Sequence, residues 1–188
     1  MNTCPTGIAL ARRSANASLL VLPAALALSA RAAAQSVIST NRYGPVNLAA
    51  YGAAGVSIAS GVSIGSTSGV ALWDASSTQI NNAGKVQAAH GTGILLGGGG
   101  GVTNTGSITA ANAVVLGAAG SVANNGTISA GGYGVLVNNG TGQVSNSGVI
   151  TAGYDGVSLN QGGSVTNTGS IFGGHIGVYT GNGAGRDQ

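Results

Sequence analysis

Hydrophobic and polar positions recur in a fixed frame along most of this chain. The segments VTNTGSITA from Val102, VANNGTISA from Val122, VSNSGVITA from Val144 and VTNTGSIFG from Val165 superpose directly, and INNAGKVQA from Ile80 fits the same frame. Their spacings are 22, 20, 22 and 21 residues. Five to seven residues after the second aliphatic comes a Gly-aliphatic step: Gly93-Ile94, Gly134-Val135, Gly156-Val157 and Gly177-Val178, with Ala113-Val114 in the one copy that departs. A degenerate earlier copy is placed at Ile58, Ser60, Ile64 and Gly69-Val70. Within each half the alternation has period 2, the signature of strands. Beyond Gly84 no stretch between glycines exceeds ten residues, too few for three helical turns, and β-branched residues dominate. A repeat of 20 to 22 residues built from strands predicts an all-β parallel β-helix with one copy per coil. Leucine-rich repeats share the period but need several leucines in each copy.

Stacking the coils at the inter-strand spacing of about 4.8 Å predicts which residues form columns. Val102, Val122, Val144 and Val165 form one aliphatic ladder, and Val86, Ile108, Ile128, Ile150 and Ile171 a second. Val70, Ile94, Val114, Val135, Val157 and Val178 are expected to form a third. Asn82, Asn104, Asn124, Asn146 and Asn167 line up as a structural asparagine ladder at a corner, each amide donating to one neighbouring coil and accepting from the other. The glycines two residues on (Gly84, Gly106, Gly126, Gly148 and Gly169) are expected to supply positive φ there. Coil repeats thus occupy 58–185, with 35–57 as an N-terminal cap or leader and 186–188 as a truncated end.

The segment ahead of the repeats has a different pattern. Arg12-Arg13 precede ten apolar residues, Leu19 to Leu28, and small residues lead to Ala32-Ala33-Ala34 before Gln35. This is the layout of a helical signal peptide over 1–34. Ten apolar residues fall well short of the roughly 20 that span a bilayer. Arg13 is followed by Ser14-Ala15-Asn16, which suits the general export route better than the twin-arginine one. Cys4, the single cysteine, leaves with the signal, so the mature chain has no disulfide to rely on.

An export signal followed by Val-x-Asn-x-Gly-x-Ile-x-Ala and Gly-Val-x-Leu coils resembles the passenger region of bacterial autotransporters, the Gram-negative surface proteins of type V secretion. The resemblance covers 80–185 well and 56–79 loosely. It implies a cell-surface or secreted stalk or adhesin, exported across the inner membrane by the signal and across the outer membrane by a translocator barrel. The segments of about ten alternating residues that such a barrel needs are absent after Gln35. The chain is therefore expected to be an N-terminal fragment or a truncated gene product, with a separately supplied exporter as the other option. The partner such a passenger implies is a surface receptor or a glycan.

Composition narrows the chemistry. Glycine contributes 36 of 188 residues, charged residues are 5%, aromatics 4%, and Glu is absent. The net charge of +3 owes much to Arg12, Arg13 and Arg31. Without the signal, Arg42, Lys85 and Arg186 balance Asp74, Asp155 and Asp187, so no nucleic-acid partner is expected. Neither cofactor nor metal is expected. A polysaccharide-active β-helix enzyme is the alternative, but Asp74 and Asp155 lie four coils apart, near 19 Å by the strand spacing. Glycosidase carboxylates sit about 5 to 9.5 Å apart. The glycine run Gly97–Gly101 lacks the Lys-Ser/Thr of a phosphate loop and reads as a turn.

One cluster stands out. Tyr133, Tyr154-Asp155 and His175 occupy matching turns of three successive coils and form a candidate binding stripe, with ordinary turn residues as the plainer alternative; His90 has no companion. Outward positions carry hydroxyls, with Thr103, Ser145 and Thr166 in one column and Ser107, Thr127 and Ser170 in another. An uncharged hydroxyl face suits glycan or ice, or serves as the solvated side of the solenoid.

Overall fold

The computed structural model describes residues 35–52 and 55–181. The expected signal peptide and the expected truncated end, 186–188, lie outside the described residues. Those described form an all-β parallel solenoid with almost no helix. Each coil opens with a strand on a seven-stranded sheet: Ser36–Ile38, Val56–Ile58, Thr78–Asn82, Gly100–Asn104, Gly120–Asn124, Gly142–Asn146 and Gly163–Asn167. The chain then turns a corner into a second segment and bends again into a third. In two coils these merge into single long strands, Lys85–Leu96 and Ser107–Leu116. Elsewhere they are separate, as in Thr127–Ala130 with Val135–Val137 and Ser170–Gly173 with Ile176–Thr180. Every recorded pairing is parallel, as expected when each strand meets its equivalent one coil away.

The predicted columns are observed as paired residues. Ile80, Val102, Val122, Val144 and Val165 run in register, as do Ile64, Val86, Ile108, Ile128, Ile150 and Ile171. Their side chains fill the interior: Ile80, Val86, Ile108, Ile128 and Ile150 are at most 1% exposed. A core of Val and Ile suits this fold, because β-branched side chains pack well on a pleated surface and equivalent residues stack on themselves. The third ladder needs one correction. Leu72, not Val70, pairs with Ile94, and the column continues through Val114, Val135, Val157 and Val178. Leu72 is fully buried and Val70 only half-buried. Gly69-Val70 imitates the Gly-Val step, but Gly69 lies in a positive-φ turn (φ 85°), and buried Ala71 holds the place before Leu72.

The first two coils differ from the rest. Val56 pairs with Ile80, and Ile58 pairs with Asn82, so Ile58 belongs to the asparagine column and not to the aliphatic one where the degenerate copy put it. Within the segment expected as a cap or leader, Ser36–Ile38, Arg42–Tyr43 and Val46–Asn47 pair with the three segments of the next coil. A short 3-10 turn follows, Leu48–Tyr51, whose N-cap Asn47 accepts from the Ala49 N–H at 3.0 Å. That turn brings Leu48 fully into the core and packs Tyr51 against it.

Candidate functional site

The asparagine ladder runs in one direction. The Nδ2 of Asn82 donates to Oδ1 of Asn104 at 2.7 Å, Asn104 to Asn124 at 2.8 Å, Asn124 to Asn146 at 2.7 Å, and Asn146 to Asn167 at 2.8 Å. The same nitrogens reach backbone carbonyls of the following coil, Ser107, Thr127, Val149 and Ser170, at 3.0–3.2 Å. The first four amides are at most 1% exposed, so they are satisfied by protein alone. Backbone bonds reinforce the corner: N–H groups of Thr105 and Gly106 both donate to the carbonyl of Asn82, and the pattern repeats up the stack. The ladder is a spine internal to the structure.

The corner glycines are required for a different reason than positive φ. None of Gly84, Gly106, Gly126, Gly148 and Gly169 is among the positive-φ residues. A Cβ at Gly126 would lie 2.2 Å from the carbonyl oxygen of Gly106, and one at Gly148 would lie 2.1 Å from that of Gly126. Coils approach too closely at this corner to admit any side chain. True positive-φ turns occur elsewhere, including Gly99 and Gly100 in the glycine run, where the Gly99 N–H bonds back to Leu96.

The structure brings the four stripe residues together. Tyr133 and Tyr154 meet edge to face with ring centres 5.2 Å apart, and Tyr154 stacks on His175 at 4.5 Å with planes 7° apart. Backbone bonds set this alignment: Tyr154 N–H donates to Gly132 O, and His175 N–H to Tyr154 O. Asp155 opens the strand Asp155–Leu159, is 5% exposed, and lies 2.9 Å from Nδ1 of His175. The imidazole itself is 53% exposed. Burial, then the neighbouring Tyr154 and Asp155, holds the Tyr133 phenol above its ordinary pKa of 10.0. It therefore remains a neutral donor through the physiological range.

Asn112 extends this column one coil earlier. Its Oδ1 accepts the Tyr133 N–H at 3.1 Å. The signal was present as the uniform 21-residue spacing Asn112, Tyr133, Tyr154, His175. It is hidden because this coil has Ala113 where its neighbours have glycine. The other buried acid, Asp74, belongs to a turn: it accepts from Ser76 N–H at 2.8 Å and from the Thr78 hydroxyl. It lies in the second coil and Asp155 in the sixth, so the two are not brought together.

The hydroxyl columns are also observed. Thr103, Ser145 and Thr166 share a register, interrupted by Ala123. Ser107, Thr127 and Ser170 share another, with Lys85 and Val149 in the same column. Beside the first column, Gln79, Gly101, Ser121 and Gln143 help line a shallow uncharged trough of about 210 Å³. In the third segment Trp73, Leu95, Val115 and Leu136 also follow one another in register, with Trp73 exposed, Leu95 and Leu136 half-buried and Val115 buried. Among the described residues, no three His, Cys, Asp or Glu side chains gather as metal ligands. No protein family, curated protein or solved structure matches this chain in comparisons of sequence and fold.

Proposed function

We propose that this chain is the exported β-solenoid of an autotransporter-type surface protein, acting as a stalk or adhesive passenger without catalysis. The observation that carries the reading is the uninterrupted stack of parallel coils behind a segment with the sequence pattern of a signal peptide. Such a stack lengthens coil by coil at nearly constant cross-section, which suits a structure that holds something away from a surface. The nearly neutral mature chain fits an exterior role independent of nucleic acid. The stacked rings of Tyr154 and His175 and the half-exposed imidazole held by Asp155 support a binding or structural role for the stripe.

The test is expression of the full chain in a Gram-negative host, followed by N-terminal sequencing of the exported product. Cleavage before Gln35 and recovery from the periplasm or surface are expected. An uncleaved product retained in the cytoplasm contradicts the reading. A neutral glycan is the second reading for the partner, favoured by the amide- and hydroxyl-lined trough beside Gln79 and Gln143. Glycan binding that disappears in a Gln143→Ala, Ser121→Ala double variant tests it.

A further inference from the structure

The side-chain amide of an asparagine is open to attack by the backbone nitrogen of the residue that follows it. Attack is easiest where that residue is glycine, because no side chain crowds the ring that forms. It also needs the nitrogen free, since an N–H already donating to a carbonyl must first give up that bond. The five ladder asparagines fail the second condition. The N–H that follows each of them, from Ala83, Thr105, Asn125, Ser147 and Thr168, donates to a carbonyl of the preceding coil at 2.8–3.0 Å.

Two Asn-Gly steps lie among the described residues, Asn125-Gly126 and Asn139-Gly140, and both asparagines are exposed. Their surroundings differ. Gly126 sits in the tight corner, where its N–H donates to Asn104 O at 3.0 Å. Oδ1 of Asn125 is also held, accepting from the Ser147 hydroxyl at 2.9 Å. Asn139-Gly140 lies outside the strands, in the turn between Val135–Val137 and Gly142–Asn146. Among the described residues the Gly140 N–H has no hydrogen-bond partner, and Gly140 is exposed. The Asn139 side chain is tethered by a single exposed bond, Nδ2 to Gly117 O at 2.9 Å. A turn so weakly bonded rearranges locally at little cost, whereas the corner moves only with its neighbouring coils.

We propose that Asn139 is a site of self-modification, converting to aspartate and isoaspartate in the folded chain, while inter-coil bonds hold Asn125 and the ladder inert. The Gly140 nitrogen bonds to Cγ of Asn139, the Cγ–Nδ2 bond breaks, and Nδ2 leaves as ammonia with the proton from Gly140. Water then opens the cyclic imide at one carbonyl or the other, giving isoaspartate or aspartate. Water is the sole co-reactant. Among the described residues Arg42 and Lys85 balance Asp74 and Asp155, so the new carboxylate gives this part of the chain a net negative charge. The isoaspartate form also lengthens the backbone of the turn by a methylene. None of this depends on the export reading.

The test incubates the full folded chain at neutral pH in heavy-oxygen water, which labels each carboxylate formed. Chymotrypsin then separates Asn125 from Asn139 by cutting after Tyr133. Cutting after Tyr179 sets apart Asn182-Gly183, which lies outside the described residues. Mass spectrometry of the fragments reads the label at each asparagine. Expected is labelling of Asn139 at least about tenfold faster than of Asn125 or of any ladder asparagine. In urea, where the inter-coil bonds are gone, Asn125 and Asn139 are expected to react at similar rates. Equal rates at the two sites in the folded chain overturn the proposal. So does labelling of a ladder asparagine as fast as Asn139. A preference for Asn139 that persists undiminished in urea also overturns it, by placing the cause in local sequence and not in the fold.

Discussion

The corner of the coil is built in two ways, and comparing them shows what the asparagine contributes. From the third coil onward the corner is short: two residues, Ala83 and Gly84 in the first instance, separate Asn82 from the next strand at Lys85. In the second coil Ile58 takes the asparagine's place, and four residues separate it from Ser63. That longer loop is closed by a Val62 N–H bond to Ala59 O and by burying the Val62 side chain. The apolar corner needs extra chain to turn back on itself. The asparagine corner turns within two residues because the amide satisfies the carbonyls that a tight turn exposes. Once the amides are stacked, each coil also dictates the register of the next.

Perturbations can be ranked by how strongly they separate the two designs. The largest effect belongs to the interior both share: Ile128→Ala leaves a cavity in a fully buried column and is expected to cost about 2–5 kcal/mol in denaturant unfolding. Gly148→Ala acts only on the asparagine corner, where the new methyl meets the Gly126 carbonyl 2.1 Å away, and is expected to cost about 1–3 kcal/mol or more. The equivalent crowding is absent at Gly61 in the apolar corner, where nothing lies within 4 Å of a built Cβ, although its φ of 80° still penalises alanine. Asn124→Ala removes one donor and one acceptor from a fully buried stack and is expected to cost about 1–3 kcal/mol. Ile58→Asn sharpens the contrast: without the short corner the new amide lacks its carbonyls and destabilises, and deleting Ser60-Gly61 in the same chain recovers part of the loss.

Smaller effects arise at the stripe. The Tyr133 phenol has its pKa raised in the folded state, so the stability tied to it is fully present below about pH 10 and is lost as pH rises through the folded value. Tyr133→Phe abolishes that alkaline loss, which pH-dependent unfolding of the two chains measures. His175→Ala removes a hydrogen bond to Asp155 from an imidazole that is half in solvent, and less than about 1 kcal/mol is expected.

Much of this architecture was legible because the repeat writes each column several times over. The valine and isoleucine ladders and the asparagine stack were readable from spacing alone, and the stripe's proximity followed from the 21-residue interval. Irregular coils were misread for physical reasons. Two additional corner residues in the second coil displaced Ile58 into the asparagine column, and a turn glycine beside Val70 imitated the Gly-Val step. The corner glycines were attributed to backbone conformation when the cause is inter-coil crowding, a property of neighbours far apart in sequence. Ring orientations and the Asp155–His175 contact depend on side-chain geometry that spacing does not carry.

The directional amide spine is tested most directly by side-chain amide hydrogen exchange of the five asparagines, read by NMR with Asn82, Asn104, Asn124, Asn146 and Asn167 assigned. The account predicts slow exchange for the first four Nδ2 groups, each of which donates into the next coil, and fast exchange for Asn167. Uniformly fast exchange across all five would contradict a hydrogen-bonded spine, and protection of Asn167 with exposure of Asn82 would reverse its direction.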